Sequence, residues 1–297
     1  MNYYNEIKNK LINNEITKRI KDYSKNKSDL NTYYNVGKLL SEAGKHYGEG
    51  IIKEYSKRLS KETNKNYSIT SLKYMRQFYK YIKSQPTADQ LNYNLTWSHY
   101  QELLPLKDNN KIKYYIDVCQ KNNLTKRELR EKIKNKEYER LPESTRSKLI
   151  NDEKTEVKDL IPNPILIKNR NNIEIVTEKV LHNLILEDIE NFLEELGTGF
   201  TFIKSEYPIK LGSRYNYIDL LLYNIEYNSY VVIELKITEL KKDHIGQIHI
   251  YMNYIDNNLK TINQNKTIGV IICKKDNKFV IEYCSDERII AREYKLI

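Results

Sequence analysis

The sequence predicts a mostly α-helical N-terminal domain followed by an α/β domain built on a mixed central sheet. The first half of the chain repeats apolar residues at helical spacing, whereas helical and extended segments alternate from about residue 174. The stretch YVVIELK (230–236) is apolar on both faces, which is typical of a covered central strand. Three of the six prolines lie in a polar stretch between residues 142 and 164, where the two patterns meet.

These patterns divide the chain into a basic helical domain (1–145), a linker (146–172) and an α/β domain (173–297). Ser68 and Thr125 are predicted N-caps, and Glu128 completes a capping box with Thr125. The predicted N-terminal helices lie near 31–43, 50–63, 69–83, 97–104, 109–121 and 125–139.

The C-terminal domain has the predicted order α-β-β-β-α-β with one additional strand. A helix near 175–196 ends at Gly197 and precedes three strands. The strands are expected near 200–210, 216–223 and 230–236, the next helix near 240–260, and further strands near 267–273 and 278–284.

Composition excludes several classes of protein. A chain of 297 residues that is 39% hydrophobic and 30% charged is expected to fold. No apolar run approaches the roughly 20 residues that span a bilayer, and the N-terminus lacks a secretory signal, so we expect a cytoplasmic protein without a membrane partner. Cys119, Cys273 and Cys284 form no CxxC pair, which favours reduced, buried thiols over a zinc site.

Charge is distributed unevenly along the chain. Residues 1–150 contain 31 Lys and Arg against 17 Asp and Glu, a net charge of +14, whereas the remaining residues have a net charge of −4. A basic half of this kind favours a polyanionic partner, namely nucleic acid. Lys-rich and Asn-rich usage also arises from an AT-rich genome, which is the alternative explanation.

The stretch YIDLLLYNIEYNSYVVIELK contains the candidate catalytic residues. If this hairpin turns symmetrically about the Glu226–Tyr227 bond, Asp219 lies across from Glu234, at a Cβ separation of roughly 4.5–5.5 Å. Lys236 follows two residues later and projects on the same face. The alternative is that these charges mark an ordinary solvated strand end.

These residue types fit phosphodiester hydrolysis. Mg²⁺, with Mn²⁺ as a substitute, is commonly held by one or two carboxylates, and the bound ion neutralises phosphate charge and activates water. A neighbouring lysine can orient or deprotonate the attacking water, or stabilise the developing charge.

At these residues the chain resembles the YhcG-like family of PD-(D/E)xK nucleases. In the C-terminal domain the resemblance rests on FLEELGTGFTFI (192–203), YIDLLLY (217–223), VVIELK (231–236), GQIHIYMNYID (246–256) and TIGVIIC (267–273). In the N-terminal half it rests on YYNVGKLLSE (33–42), LKYMRQFY (72–79), TWSHYQELL (96–104) and LTKRELREKI (124–133).

The resemblance implies a restriction-endonuclease-like core behind a helical, winged-helix-like DNA-binding domain. It implies that Asp219 and Glu234 are the Mg²⁺ ligands and that Lys236 is the catalytic lysine. Gln247, with Tyr251 one turn later, falls where a helix residue often contacts the site or substrate; simple helix packing is the alternative.

The chain departs from the family at two positions. His182 stands where the first core helix often supplies a glutamate, on a predicted inward stripe of residues 182, 186, 189 and 193. Glu178 lies one turn earlier and could substitute, while His182 is either a ligand or a core histidine. Glu206 replaces a more usual Gln and is a candidate extra carboxylate near the site.

The sequence therefore predicts a Mg²⁺-dependent DNA endonuclease. A catalytically weak nucleic-acid-binding protein is one alternative, and an adaptor in a restriction or mobile-element defence system is another. The oligomeric state stays open, with a homo-oligomer among the options. The expected phosphate contacts are Arg76, Lys126, Arg127, Arg130, Lys241 and Lys242, where solvated surface charge is the alternative.

Overall fold

The computed structural model of the chain describes residues 3–20, 25–84, 94–151, 153–284 and 286–297. The chain divides into two compact units, Met1–Asn135 and Lys136–Ile297. Within the described ranges, no helix is both long enough and apolar enough to span a membrane.

Within its described residues, the first unit consists of helices joined by turns. The side chain of Ser68 caps one helix, and Thr125 and Glu128 form the predicted capping box of another. A helix at the start of the chain was not predicted. The helices are α1 (Tyr3–Ile20), α2 (Lys25–Tyr47), α3 (Ile51–Thr63), α4 (Ile69–Lys83), α5 (Trp97–Leu103), α6 (Asn109–Asn122) and α7 (Lys126–Lys134), with a 3-10 turn at Leu104–Leu106.

A close helix crossing organises the core of this unit. An added Cβ on Gly37 of α2 would lie 2.0 Å from the carbonyl oxygen of Met75 in α4, so only glycine permits this approach. Leu40, Leu72 and Met75 are buried in the same cluster. The apolar residues that recur at helical spacing in the sequence therefore form a packed core in this unit.

The second unit consists of one mixed sheet with helices on both faces. Its elements are α8 (Glu137–Arg140), α9 (Glu143–Ile150), α10 (Val157–Leu160), β1 (Ile165–Ile167), α11 (Glu178–Glu187), α12 (Ile189–Leu196), β2 (Phe200–Leu211), β3 (Arg214–Asn224), β4 (Ser229–Leu235), α13 (Lys242–Asn258), β5 (Ile268–Cys273), α14 (Lys278–Cys284) and β6 (Ile289–Leu296). The strand order is β1-β6-β5-β4-β3-β2. The β2–β3 and β3–β4 pairs are antiparallel, and the remaining pairs are parallel. The predicted fold class is confirmed.

Two hydrophobic layers enclose the centre of the sheet. Leu220, Leu222 and Ile233 pack with α11 and α12 on one side. Leu221 and Val232 pack with α13 on the other. Alternate residues of β3 and β4 thus enter different layers, which explains why both strands read as unbroken apolar runs.

The strand predicted over 278–284 is wrong, because these residues form α14. The side chain of Asn277 accepts a hydrogen bond from the backbone N–H of Val280, which starts a helix rather than a strand. The strand that follows β5 in the chain is β6, which begins after this helix.

The segment predicted as a linker contains ordered elements of the second unit. It includes the end of α9, all of α10, and β1, whose residues Ile165–Ile167 are buried and pair with β6. Three consecutive apolar residues gain more from joining the sheet than from remaining in water, so the proline-rich composition misled the prediction.

The helix predicted over 175–196 is interrupted at Asp188, which separates α11 from α12. The buried face of α11 also differs from the predicted one. Leu181, Leu184 and Ile185 are buried in α11, whereas the predicted inward stripe through His182 is only half-buried.

Two of the predicted thiols are buried, those of Cys119 and Cys273. The side chain of Cys284 lies outside the described residues.

Candidate active site

The candidate active site lies where β3 and β4 run side by side. Towards this end of the hairpin the outermost pair is Leu220 with Ile233. One step further in the same register places Asp219 beside Glu234, as the symmetric hairpin predicts. β4 ends at Leu235, and Lys236 follows directly.

Glu234 is a buried acid, only 2% exposed. Its Oε1 accepts a hydrogen bond of 2.7 Å from Nζ of Lys236. Among the described residues, nothing hydrogen-bonds to its Oε2. An unpartnered carboxylate oxygen in a buried position is costly, so it marks a place where a ligand is expected.

The surroundings raise the pKa of all three side chains in the site, Asp219, Glu234 and Lys236. Burial raises the pKa of Glu234 to about 7, and the negative charge of Asp219 adds to the rise. Burial also raises the pKa of Asp219. Burial lowers the pKa of Lys236, but its hydrogen bond to Glu234 and the surrounding negative charges outweigh burial, and the net effect is a raised pKa. Lys236 is therefore a cation at neutral pH.

A hard divalent cation fits this arrangement. Mg²⁺ prefers oxygen ligands and is usually bound through one or two carboxylates with water completing its shell. Within the described part of the chain, no group of three or more His, Cys, Asp and Glu side chains is placed to hold a metal ion. Asp219 and Glu234 are adjacent across the strands, which makes them the candidate protein ligands, and the unpartnered oxygen of Glu234 is available to such an ion.

Helix α11 brings two further side chains to the site. Nε2 of His182 lies 3.2 Å from the backbone carbonyl oxygen of Asp219, which accepts the hydrogen bond. Oε2 of Glu178 lies 3.7 Å from Nζ of Lys236. The ring of His182 therefore contacts the backbone of Asp219, while Glu178 reaches the site through Lys236.

Helix α13 contributes a hydrogen-bonded pair. Nε2 of Gln247 donates to Oη of Tyr251 over 2.9 Å. Burial raises the pKa of Tyr251, and the charges of Glu234 and Asp219 raise it further although the hydrogen bond from Gln247 opposes them. Tyr251 thus lies within electrostatic range of the carboxylates, and Gln247 is hydrogen-bonded to it.

His244 is a neighbour of the site that the sequence did not single out. Burial lowers its pKa, and the positive charges of Lys236 and Lys241 lower it further. Its Nδ1 accepts a hydrogen bond from the backbone N–H of Lys241 at the start of α13. The only sequence signal was its place in the first turn of the helix after Lys236.

A cavity of about 500 Å³ lies away from these residues. It is bordered by the first residues of β4, β5 and β6, including Ser229, Ile268 and Ile290. Glu234 and Lys236 lie at the opposite ends of the strands, so this cavity is separate from the candidate active site.

Family models match both units of the chain. A model described as the YhcG PDDEXK nuclease domain matches residues 158–297. A model described as the DUF1016 N-terminal domain matches residues 9–140. The chain therefore combines a YhcG PDDEXK nuclease domain with a DUF1016 N-terminal domain. Asp219, Glu234 and Lys236 all lie within its PDDEXK nuclease domain.

Individual proteins show the same relationship. The chain is 21% identical to the "Putative nuclease YhcG" of Escherichia coli (strain K12), over 89% of this chain and 82% of that protein. A repair endonuclease from Pyrococcus abyssi shares 20% identity over 42% of this chain and 49% of its own, with a TM-score of 0.28. EndoMS in a dsDNA complex shares 16% identity over 43% and 48%, with a TM-score of 0.29. The chain spans about half the length of these two solved chains, and the fold assignment rests on the sheet order.

In the DUF1016 N-terminal domain, the four predicted phosphate contacts all pair with glutamates. Arg76 is 14% exposed and lies 2.6 Å from Glu49. Lys126 and Arg130 share Glu102, at 3.5 Å and 2.7 Å. Arg127 is the most accessible, since its side chain is 89% exposed and its contact with Glu131 is 3.6 Å long.

In the nuclease domain, Lys241 and Lys242 are exposed at the start of α13. Glu206 is exposed on β2 and has a positive φ of 47°. It interrupts the β2–β3 ladder between the pairs Ser205–Leu220 and Tyr207–Ile218, opposite Asp219. Its role as an extra carboxylate stays a prediction.

Proposed function

We propose that this YhcG-like protein is a divalent-metal-dependent DNA endonuclease that uses Mg²⁺, with Mn²⁺ as a substitute. The observation that carries the proposal is the buried carboxylate of Glu234 beside Asp219, with one oxygen bonded to Lys236 and the other unpartnered. The match to a PDDEXK nuclease domain supports the same reading.

Each side chain has a distinct role in the proposed reaction. Asp219 and Glu234 would hold the ion, which when bound neutralises phosphate charge and makes water more acidic. Hydrolysis forms a bond between the water oxygen and phosphorus and breaks the bond to the leaving sugar oxygen, which takes up a proton. The ammonium of Lys236 stabilises the negative charge that develops during this exchange.

Substrate binding is assigned mainly to the N-terminal half. Its net charge of +14 suits a phosphate backbone, which binding proteins neutralise with Lys and Arg. Arg127 is the strongest candidate contact there because it is exposed and only weakly paired. In the nuclease domain, Lys241 and Lys242 are exposed at the start of α13 and are further candidate phosphate contacts.

The direct test is incubation of the full chain with supercoiled plasmid, linear DNA and RNA, each in Mg²⁺, Mn²⁺ or EDTA. Nicking or linearisation of the plasmid in Mg²⁺ but not in EDTA is the expected result, and Asp219→Asn should abolish it. Cleavage that persists in EDTA and in Asp219→Asn would overturn the assignment. Cleavage of RNA alone would overturn the DNA preference.

His182 supports one alternative, a nucleic-acid-binding protein with weak catalysis. Its ring bonds to the backbone of Asp219 in a place where the family resemblance leads us to expect a glutamate. Under this alternative, His182→Glu should increase cleavage while DNA affinity stays constant. No gain in His182→Glu, together with robust cleavage by the natural chain, would exclude it.

A further inference from the structure

The hairpin of β2 and β3 extends past the end of the sheet at the candidate active site. β3 pairs with β4 only from Leu220 onward, whereas its pairing with β2 continues to Arg214. Residues 207–218 therefore form a two-stranded arm, which turns at Gly212 with a φ of +63°. From Asp219 to the tip, five residues of strand cover roughly 17 Å.

One face of the arm is anchored in the protein core. Ile209 and Ile218 are fully buried and belong to the same cluster as Ile248 and Met252 of α13. An isolated two-stranded ribbon is only marginally stable in water. This anchoring holds the arm in place, so its other face is presented on a fixed support.

The other face is aromatic, basic and open to solvent. Tyr215 and Tyr217 are 62% and 56% exposed, and as residues two apart on a strand they share this face. Lys210 pairs with Tyr215 across the strands, and its Nζ lies 5.9 Å from the ring centre. Pro208 pairs with Tyr217 in the same way.

The position of this face relates it to the catalytic residues. Tyr217 is two residues from Asp219 along β3, a distance of about 7 Å, and Tyr215 is about 13 Å away. The layers change between Ile218, which packs with α13, and Leu220, which packs with α11 and α12, so β3 turns at Asp219 and the separation along the strand relates the rings to the carboxylates. The arm contains Lys210 and Arg214 and no acidic residue, so its charge also favours a polyanion.

We propose that the face formed by Tyr215, Tyr217 and Lys210 binds unpaired nucleotides of the nucleic-acid strand whose phosphate is cleaved. The tyrosine rings stack on bases, and the lysine contacts the backbone, the combination by which proteins hold single strands without reading their sequence. Bases within a duplex are already stacked on one another, so this face distinguishes single-stranded or flapped substrates from continuous duplex. The inference rests on the proposed nuclease function and deepens it.

The test measures binding separately from cleavage. Fluorescence anisotropy is recorded for the full chain carrying Asp219→Asn, with a labelled oligothymidylate of about 20 nucleotides and with a blunt duplex of equal length. Tyr215→Ala/Tyr217→Ala should weaken binding of the single strand about 30-fold or more and change duplex binding less than about twofold. Tyr215→Phe/Tyr217→Phe should retain affinity, because phenylalanine keeps the stacking surface.

A matched control is Phe279→Ala, which removes an exposed aromatic ring of the same unit outside the arm. It should leave both affinities unchanged.

Three results would each overturn the proposal. The alanine pair could weaken binding of single strand and duplex equally, it could leave single-strand binding unchanged, or the alanine and phenylalanine pairs could lose the same affinity. Conversion of a dimer to a monomer by the alanine pair, with DNA affinity unchanged, would instead assign this face to contacts between copies of the chain. Failure of the parent chain to cleave in Mg²⁺ would count against the proposed nuclease function alone, since binding is measured independently.

Discussion

The carboxylate of Asp219 accepts a hydrogen bond of 2.7 Å from the backbone N–H of Leu235. This bond crosses from β3 to β4 just beyond their outermost pair, Leu220 with Ile233. The Asp219 side chain is therefore a candidate metal ligand and also links the end of β4 to β3 through a hydrogen bond. Substitutions at Asp219 can separate these two roles.

Asp219→Asn and Asp219→Ala should differ in stability but not in activity. Both remove the charge and should abolish cleavage. Asparagine keeps an oxygen that can accept from Leu235, whereas alanine leaves a backbone N–H unpaired at a cost of about 1–3 kcal/mol. Urea unfolding without metal should show Asp219→Ala to be the less stable by that amount. Equal stability of the two variants would argue against a structural role for the bond.

Metal binding should be visible as thermal stabilisation. A ligand that binds only the folded state at a hundred times its Kd adds about 2.7 kcal/mol, so Mn²⁺ or Mg²⁺ should raise the Tm of the natural chain. Glu234→Gln should remove most of this shift. Glu226→Gln, which changes an exposed carboxylate in the hairpin turn, is the matched control and should leave the shift intact. An undiminished shift in Glu234→Gln would place the ion elsewhere.

Lys236→Ala should slow cleavage about 10²–10⁴-fold, the usual effect of removing a group that assists the reacting atoms. The metal-dependent rise in Tm should survive, because lysine is not a ligand. Single-turnover rates and thermal shifts measured on the same preparation separate the two effects. Loss of the thermal shift together with activity would show that Lys236 acts by organising Glu234.

Arg127 and Arg130 should contribute differently to DNA binding. The side chain of Arg127 is 89% exposed with a long contact to Glu131, whereas Arg130 makes two hydrogen bonds to Glu102. Arg127→Ala should weaken binding across sequences and reduce the salt slope by about 1. Arg130→Ala should have a smaller effect, since its charge is already balanced. Affinity titrations at several salt concentrations measure both effects. A larger loss of affinity in Arg130→Ala than in Arg127→Ala would contradict this prediction.

Part of the loss of folding stability in acid should come from Asp286, which lies just before β6. The hydrogen bond from Arg288 lowers the pKa of Asp286 to about 2. Because the unfolded pKa of aspartate is about 3.9, this stabilisation is fully present above about pH 4 and is lost as the pH falls through 2. The difference in unfolding free energy between the natural chain and Asp286→Asn should shrink over that range. Glu282→Gln, at an exposed position, should show no such change, and a pH-independent difference for Asp286→Asn would contradict the assignment.

The sequence was most informative where local spacing alone determines structure. The hairpin register follows from two apolar runs around a short polar turn, so the placement of Asp219 beside Glu234 needed no knowledge of the rest of the fold. Ser68, Thr125 and Glu128 were likewise readable, because a cap depends only on its nearest neighbours.

The errors occurred where distant parts of the chain decide the outcome. A short apolar run such as residues 278–284 fits a strand or a helix equally well, and the cap at Asn277 settled the choice. Ile165–Ile167 is too short to be recognised as a strand without its partner. Asp188 breaks a helix whose apolar spacing continues on both sides. Within α11, Leu181, Leu184 and Ile185 are buried more deeply than the predicted stripe through His182.

The pairing of β1 with β6 has a consequence for how the chain is made. β1 adjoins only β6 in the sheet, and Asn163, just before β1, accepts a hydrogen bond from the backbone of Glu293, 130 residues further along the sequence. During synthesis, the three apolar residues of β1 remain without a partner strand until β6, the last strand of the nuclease unit, has left the ribosome. Contacts of such long sequence separation form late and slowly. A truncation before β6 would leave both the β1 strand and an edge of β5 uncovered, so shortened chains should aggregate rather than persist as partial enzymes.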